Sequence, residues 1–131
     1  MKLYYYAFSG HKWGLDRVKR GVALIKALRD EHIEVQLLLN DFRAGLVAKK
    51  LGVNDSITIE SIMDIDMLAE DDSIIFIDTS EDERGRVERY YNRYEALFHI
   101  VDKDNTKSQF GEYILSPNGN LSSIIIDNIY F

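Results

Sequence analysis

Short apolar runs alternate with stretches of helical periodicity along this chain, and no other feature constrains the fold as strongly. The clearest run is residues 74–77, Ile-Ile-Phe-Ile, which Ser73 precedes and Asp78 follows. Such a run is typical of a strand covered on both faces, as in a parallel sheet. Because strands that alternate with helices favour crossover connections, we predict an α/β fold with a mostly parallel sheet. A length of 131 residues fits one domain, so we expect a single Rossmann-like three-layer domain over residues 1–131.

The boundaries of the predicted elements follow from periodicity and from capping residues. Strands are predicted at residues 3–8, 33–39, 57–62, 73–78, 97–101 and 113–115, with a last strand or docking segment at 124–126. Helices are predicted at residues 16–31 and 41–51 and from Thr79 or Ser80 to Tyr94, with a short helical turn and loop at 64–72. Asp41 is a typical N-cap for the second helix, and Gly52 is a typical stop.

Polar segments follow several of the predicted strands, at the ends where a doubly wound sheet binds its ligands. These segments are residues 9–17, 40–41, 78–82 and 102–105. The carboxyl ends of parallel strands lie along one edge of the sheet, and ligands bind beyond that edge. We therefore expect the four segments to converge on one rim.

Composition narrows the choice of partner and compartment. The net charge of −6 disfavours general binding to nucleic acid, although basic residues gathered in the segment 12–29 can still attract one small anion. The absence of cysteine excludes disulfides and thiolate chemistry and fits a reducing compartment. No apolar run is long enough to cross a bilayer, and the N-terminus lacks the pattern of a signal peptide. We expect a cytoplasmic protein with neither a membrane nor a nucleic-acid partner.

The residues that commonly bind metals do not have the spacing of a metal site. The three histidines, His11, His32 and His99, match no zinc motif. The acidic residues of the segment 64–72 do not follow the spacing of an EF-hand, and a solvated acidic loop explains them better. We expect no metal ion and no cofactor.

The turn between the first strand and the first helix is the segment most suggestive of ligand binding. Gly10 and Gly14 permit tight turns, and the helix N-terminus that follows favours a phosphate or carboxylate. Arg17 and Arg20 add guanidinium groups that can grip phosphate. The glycine spacing is that of neither the dinucleotide fingerprint nor the P-loop. A glycine-containing βα turn followed by a solvated basic helix face is an equally good interpretation.

The segment 14–28, Gly-Leu-Asp-Arg-Val-Lys-Arg-Gly-Val-Ala-Leu-Ile-Lys-Ala-Leu, resembles the first loop and helix of the UDP-sugar hydrolase of the pseudaminic-acid pathway. It is also similar to the N-terminal domain of related GT-B glycosyltransferases. Their pattern is Gly-x-Gly-His-x-x-Arg before a Leu- and Ala-rich helix. Alignment on the helix puts Gly14 on the first glycine and Arg20 on the family arginine. Asp16 then replaces the second glycine, and Arg17 replaces the histidine proposed to activate water.

Three later segments resemble the same family in the same order. Residues 74–78 are similar to its strand that ends in aspartate, and residues 97–103, which include Asp102, to its next strand with a paired-aspartate motif. Residues 113–118 look like its apolar strand followed by asparagine. The resemblance covers nearly the whole chain but only the N-terminal half of the family's length. It implies a lone GT-B N-terminal-like domain without the half that supplies most nucleotide-binding residues.

Two functional hypotheses follow. Because an arginine stays protonated, Arg17 cannot act as the family's base. The first hypothesis is therefore a non-catalytic sugar-nucleotide-enzyme-like domain that acts as a binding or partner protein. It would bind a sugar nucleotide or another small anion, and a homodimer or a complementary chain could replace the missing half. Its candidate ligand-binding residues are Gly10, Gly14, Asp16, Arg17, Arg20, Asp78 and Asp102.

The alternative is an enzyme, either a small sugar-nucleotide hydrolase or one subunit of a split glycosyltransferase. Its candidate catalytic residues are His11 and Asp78. Asp78 and Asp102 are expected to end neighbouring strands, where carboxylates serve acid–base or magnesium chemistry, or simply cap the following loops. A response-regulator-like domain is a weaker third hypothesis, because the acidic pair after strand one and the lysine after the last strand are both missing.

Overall fold

The computed structural model describes residues 2–10, 14–80, 85–101 and 107–115. Strands and helices alternate along the chain, as the apolar runs predict. The strands are β1 (Leu3–Ala7), β2 (Val35–Leu39), β3 (Ile57–Thr58), β4 (Ile74–Asp78), β5 (Ala96–Ile100) and β6 (Tyr113–Leu115). The helices are α1 (Asp16–Asp30), α2 (Phe42–Lys50), α3 (Ile65–Leu68) and α4 (Arg86–Arg93), and a 3-10 turn, Ile62–Asp64, precedes α3.

The described strands form one six-stranded sheet in the order β3-β2-β1-β4-β5-β6, and every pairing is parallel. This confirms the predicted Rossmann-like α/β fold. β1 lies at the centre, with β2 on one side and β4 on the other, so the order of strands reverses between β1 and β4. The carboxyl ends of all the strands lie along one edge, named here the carboxyl edge. The reversal beside β1 marks the part of that edge where such sheets bind ligands.

Helices cover both faces of the sheet and make it the middle of three layers. On one face, apolar side chains of α1 and α2 pack against alternate residues of the strands, such as Leu37 and Leu39. On the other face, the 3-10 turn, α3 and α4 cover the intervening residues, such as Leu38. The predicted apolar face of α1 is buried, with Val22 and Ile25 at its centre. Burial on both faces explains why the strand sequences are continuously apolar.

One glycine sets how closely α1 approaches the sheet. Gly21 lies over the ring of Tyr5 in β1, and a Cβ atom there would lie 2.7 Å from the Tyr5 Cε1 atom. Only a residue without a side chain fits this contact. The close approach brings the first turns of α1, which carry the two arginines, down onto the end of the central strands.

Three predicted boundaries differ from the observed ones by two residues or more, and each difference has a local cause. β2 begins at Val35 and not at residue 33, because α1 ends in a tight turn: the Ile33 N–H donates to the Leu28 carbonyl, and His32 has a φ of 63°. β3 stops at Thr58, because the side chain of Ser61 caps the 3-10 turn that follows. α4 begins only at Arg86, so neither Thr79 nor Ser80 caps it.

Other predicted boundaries are confirmed. Asp41 caps α2 by accepting a hydrogen bond from the Arg43 N–H, and Gly52 follows the end of that helix with a φ of 108°. The strand at 113–115 is present as predicted. The predicted segment 124–126 lies outside the described residues. Among the helices that the structure describes, none is both long and apolar enough to cross a membrane.

Candidate functional site

Two strands are joined at the carboxyl edge by a pair of polar residues. The Asn40 Oδ1 atom accepts a hydrogen bond from the Ser9 N–H at 2.8 Å, and the Asn40 Nδ2 atom donates to the Ser9 carbonyl at 2.9 Å. Ser9 follows β1 and Asn40 follows β2. The pair therefore fixes the two loops against each other at the point where both strands end. The predicted convergence of segments 9–17 and 40–41 is thus observed for these two residues.

Asp78, at the end of β4, is the most enclosed charged group at the carboxyl edge. Its side chain is 0% exposed. The Arg20 Nε atom donates to Oδ2 at 2.6 Å, and the Arg20 Nη2 atom donates to Oδ1. The Arg17 Nε atom lies 3.6 Å from Oδ1, and the Tyr5 hydroxyl donates to Oδ2 at 2.7 Å. The sheet and α1 therefore meet through one buried carboxylate and two guanidinium groups.

The Asp78 cluster (Asp78, Arg17, Arg20 and Tyr5) has consequences for acid–base chemistry. Burial raises the pKa of Tyr5 well above its usual value, and the negative charge of Asp78 raises it further. Both carboxylate oxygens of Asp78 accept hydrogen bonds from the Arg20 guanidinium, the paired geometry in which a guanidinium binds a carboxylate most strongly. The cluster holds the arginines in place at the surface, where the Arg17 and Arg20 side chains are 13% and 19% exposed.

The two glycines of the predicted site lie in a different place from the arginines. A cavity of about 210 Å³, named here the β1–β2 cavity, opens between the start of α1 and the start of α2. Its described lining residues are Ser9, Gly10, Gly14, Leu15, Asp41, Arg43 and Ala44. The Gly14 N–H donates to the Gly10 carbonyl at 2.9 Å, and Gly14 has a φ of 65°, which favours glycine. One cation, Arg43, and one anion, Asp41, are among these lining residues.

The predicted site residues thus fall into two groups. Gly10 and Gly14 line the β1–β2 cavity, whereas Arg17, Arg20 and Asp78 form the Asp78 cluster on the same edge. Asp16 is exposed in the first turn of α1. His11 and Asp102 lie outside the described residues. Arg43 was missed in the sequence, although its position two residues after a helix N-cap is a signal that could have identified it.

A second and larger cavity at the carboxyl edge was not predicted. This β3 cavity has a volume of about 650 Å³. Its described lining residues are Asn40, Ile57, Thr58, Ile59, Glu60, Asp64, Met67 and Leu68. It exists because β3 ends after two residues and the chain then turns into the 3-10 turn and α3. A strand as long as the predicted one, over residues 57–62, would have left no such opening.

The acidic segment 64–72 has a structural role. Asp66 accepts hydrogen bonds from three arginines of α4: Arg86 and Arg89 at 2.7 and 2.8 Å, and Arg93 at 2.9 Å. These bonds tie α3 to α4. Within the described portions of the chain, no group of three or more metal-ligating side chains is close enough together to hold an ion.

Comparisons with protein-family models, with curated proteins and with solved structures found no match to this chain. The assignment of the α/β fold therefore rests on the strand order and the parallel pairing of the sheet. The resemblance to the sugar-nucleotide hydrolases stays a prediction.

Proposed function

We propose that this chain is a non-catalytic binding domain for a small phosphate-bearing anion, with a sugar nucleotide as the candidate ligand. The observation that carries the proposal is the β1–β2 cavity, which lies at the carboxyl edge between the starts of two helices. Gly10, Gly14 and Arg43 contribute to its wall. Doubly wound sheets receive ligands along this edge, and the cavity lies between the loops after β1 and β2, next to the reversal of strand order between β1 and β4.

The electrostatics of the β1–β2 cavity favour an anion. α1 begins beside it without a side-chain cap among the described residues, and such a helix N-terminus carries a partial positive charge and backbone N–H groups. α2 also begins there, but Asp41, which lines the cavity, already caps that helix by accepting a hydrogen bond from the Arg43 N–H. Gly10 and Gly14 have no side chains to keep a ligand away from the backbone. Arg43 adds a full positive charge to the wall. Arg17 and Arg20 lie on the same edge, and their charges add to the local potential even though both groups already bind Asp78.

The size of the β1–β2 cavity limits what it can hold. At about 210 Å³ it lies below the roughly 300 Å³ of small-molecule pockets. It therefore suits one or two phosphate groups better than a complete nucleotide. The remainder of a sugar nucleotide would extend out of the cavity along the carboxyl edge.

The contacts of Asp78 favour binding over catalysis. A general base must have an oxygen open to the substrate, and both carboxylate oxygens of the fully buried Asp78 already accept hydrogen bonds from Arg20 or Tyr5. Arg17 itself stays protonated. The hydrolase alternative then depends on His11, and it predicts turnover of a sugar nucleotide that is lost in His11→Ala.

Thermal unfolding with added ligand tests the binding proposal. We expect UDP, CMP, their sugar conjugates or pyrophosphate to stabilise the chain by about 2.7 kcal/mol at 100 times the dissociation constant. Arg43→Gln should weaken this effect, because it removes the cation from the cavity wall. Lys50→Gln is the matched control: Lys50 lies on the same helix, is exposed and does not line the cavity.

Two results would contradict the binding proposal. If none of these anions changes the unfolding temperature, the chain is better explained as a partner protein that recognises another chain. Hydrolysis of a sugar nucleotide that disappears in His11→Ala would establish the enzyme alternative instead.

A further inference from the structure

The β3 cavity adjoins the β1–β2 cavity across a single pair of residues. Ser9 lines the smaller cavity, Asn40 lines the larger one, and two hydrogen bonds join them. The next residue after Asn40, Asp41, again lines the smaller cavity. One ligand that crosses the Ser9–Asn40 pair can therefore occupy both.

The β3 cavity has the size and lining of a site for an uncharged ring. Its volume of about 650 Å³ falls within the range of about 300–1,000 Å³ that is usual for small-molecule sites. Ile57, Ile59, Met67 and Leu68 provide apolar surface. Met67 is 83% exposed, so its side chain is open to contact with a ligand.

The polar groups of the β3 cavity are mainly acceptors. Glu60 and Asp64 both line it. The Asp64 Oδ2 atom accepts a hydrogen bond from the Glu60 N–H at 2.9 Å, which holds the two residues together. Two carboxylates repel a phosphate, so the anionic part of a ligand is directed to the β1–β2 cavity. What the carboxylates attract is a group that donates hydrogen bonds.

We infer that the β3 cavity binds the nucleobase of the same ligand and selects bases with an exocyclic amine over uracil. The inference rests on the proposed function, because it assumes that the phosphate occupies the neighbouring cavity. Adenine and cytosine carry an amino group that donates two hydrogen bonds, whereas uracil presents a carbonyl oxygen at the equivalent place. A carbonyl oxygen facing Glu60 or Asp64 would meet a second acceptor and leave both without a partner.

Calorimetric titration of the whole chain with ADP, CDP, UDP, adenosine and pyrophosphate tests this inference. We expect ADP and CDP to bind about tenfold more tightly than UDP, which is the usual worth of one hydrogen bond to a charged group. Glu60→Ala and Asp64→Asn should reduce that preference and leave the affinity for pyrophosphate unchanged. Met67→Glu should weaken ADP and adenosine but not pyrophosphate. Glu88→Ala is the matched control, because Glu88 is exposed on α4 and lines neither cavity.

The outcomes separate this inference from the proposed function. If pyrophosphate, ADP and UDP bind equally well, or if the preference for ADP survives in both carboxylate variants, the nucleobase site is wrong and the anion site stands. If adenosine binds and pyrophosphate does not, the nucleobase site is supported and the proposed phosphate site is contradicted. If none of the five compounds binds, both proposals fail.

Discussion

Two aspartates of this chain are each surrounded by arginines, and they differ in where they lie. Asp78 is fully buried at the end of a central strand, between the sheet and α1. Asp66 lies between α3 and α4 and is 14% exposed. Three arginines of α4 bind Asp66, and the Tyr94 hydroxyl lies 3.4 Å from its Oδ1 atom, whereas Asp78 accepts a hydrogen bond from the fully buried hydroxyl of Tyr5 at 2.7 Å. Similar ion pairs should therefore contribute very differently to stability.

The difference follows from desolvation. A carboxylate removed from water depends on its partners, because an unpaired buried charge is costly. A carboxylate near the surface can replace a lost partner with water, and exposed ion pairs contribute little. The Asp78 cluster should therefore act as one unit. In the Asp66 cluster (Asp66, Arg86, Arg89 and Arg93), the loss of any single arginine should change the free energy of unfolding little.

The largest effect is expected when Asp78 loses its main partner. Among the described residues, Arg20→Ala leaves the buried carboxylate with Arg17 and Tyr5 as partners, so we expect a loss of about 3 kcal/mol in the free energy of unfolding. Urea unfolding of the variant measures this loss. The double variant Arg20→Ala with Asp78→Asn should be destabilised by less than the sum of the single variants, because it removes the unpaired charge. Additive single effects would show that the pair is not coupled.

A rise in pH should distinguish the tyrosines of the two clusters. Burial raises the pKa of Tyr94 to about 12, beside Asp66, and burial with Asp78 raises the pKa of Tyr5 well above its usual value. A pKa that is higher in the folded than in the unfolded chain stabilises the fold below about pH 10, and the stabilisation is lost as the pH rises further. We expect a loss of roughly 2 kcal/mol from Tyr94 by pH 12, and a loss in the same direction from Tyr5.

Unfolding in urea between pH 9 and pH 12 measures this alkaline loss. Tyr94→Phe should remove the part of the alkaline loss of stability that comes from ionisation of Tyr94. Tyr5→Phe should weaken the chain already at pH 7, because Asp78 then loses a hydrogen-bond donor. If neither variant changes the slope of stability against pH, burial and the neighbouring carboxylates do not raise the pKa of the two hydroxyls as described.

A smaller loss is expected when the Asp78 cluster is displaced without any change of charge. Gly21→Ala places a methyl group against the ring of Tyr5, which is fixed by Asp78, so we expect a net loss of about 1–2 kcal/mol. Gly45→Ala is the matched control in α2. Its added methyl group would lie 3.5 Å from the Ser56 hydroxyl, an ordinary contact, so the higher helix propensity of alanine should give a gain of up to about 1 kcal/mol.

The smallest effect is expected in the Asp66 cluster. Arg89 is 60% exposed, and Arg86 and Arg93 also bind Asp66, so Arg89→Ala should cost less than about 0.5 kcal/mol. The loss of stability in Arg89→Ala, measured by urea unfolding, should be smaller still in 1 M salt, which screens exposed charges. A loss comparable to that of Arg20→Ala would show that burial does not separate the two clusters.

The sequence predicted the sheet well because burial on both faces leaves a continuous apolar run, and such runs need no knowledge of distant contacts. Arg17 and Asp78 were also placed on one edge by topology alone. The direct pairing of Asp78 with Arg20 was not predicted, since Arg20 and Asp78 are far apart in the chain and the close approach at Gly21 becomes visible only in three dimensions.

The β3 cavity and the start of α4 were missed for related reasons. Ile57, Ile59 and Ile62 suggest one strand by composition, but the hydrogen bond from Met63 to the Ser61 side chain ends the extended chain early. Thr79 and Ser80 are good capping residues by type, yet α4 starts only after Gly85. In both places the residue types alone favour one structure, and the path of the chain between the layers of the fold gives another.

The shortness of β3 also bears on how the folded chain behaves in concentrated solution. β3 forms the outer border of the sheet beside β2, and a strand on such a border exposes backbone N–H and C=O groups to which a foreign strand can add. With only Ile57 and Thr58 in extended register, that border offers a very short template. The same early turn that opens the β3 cavity thus protects the sheet on this side against strand-by-strand aggregation.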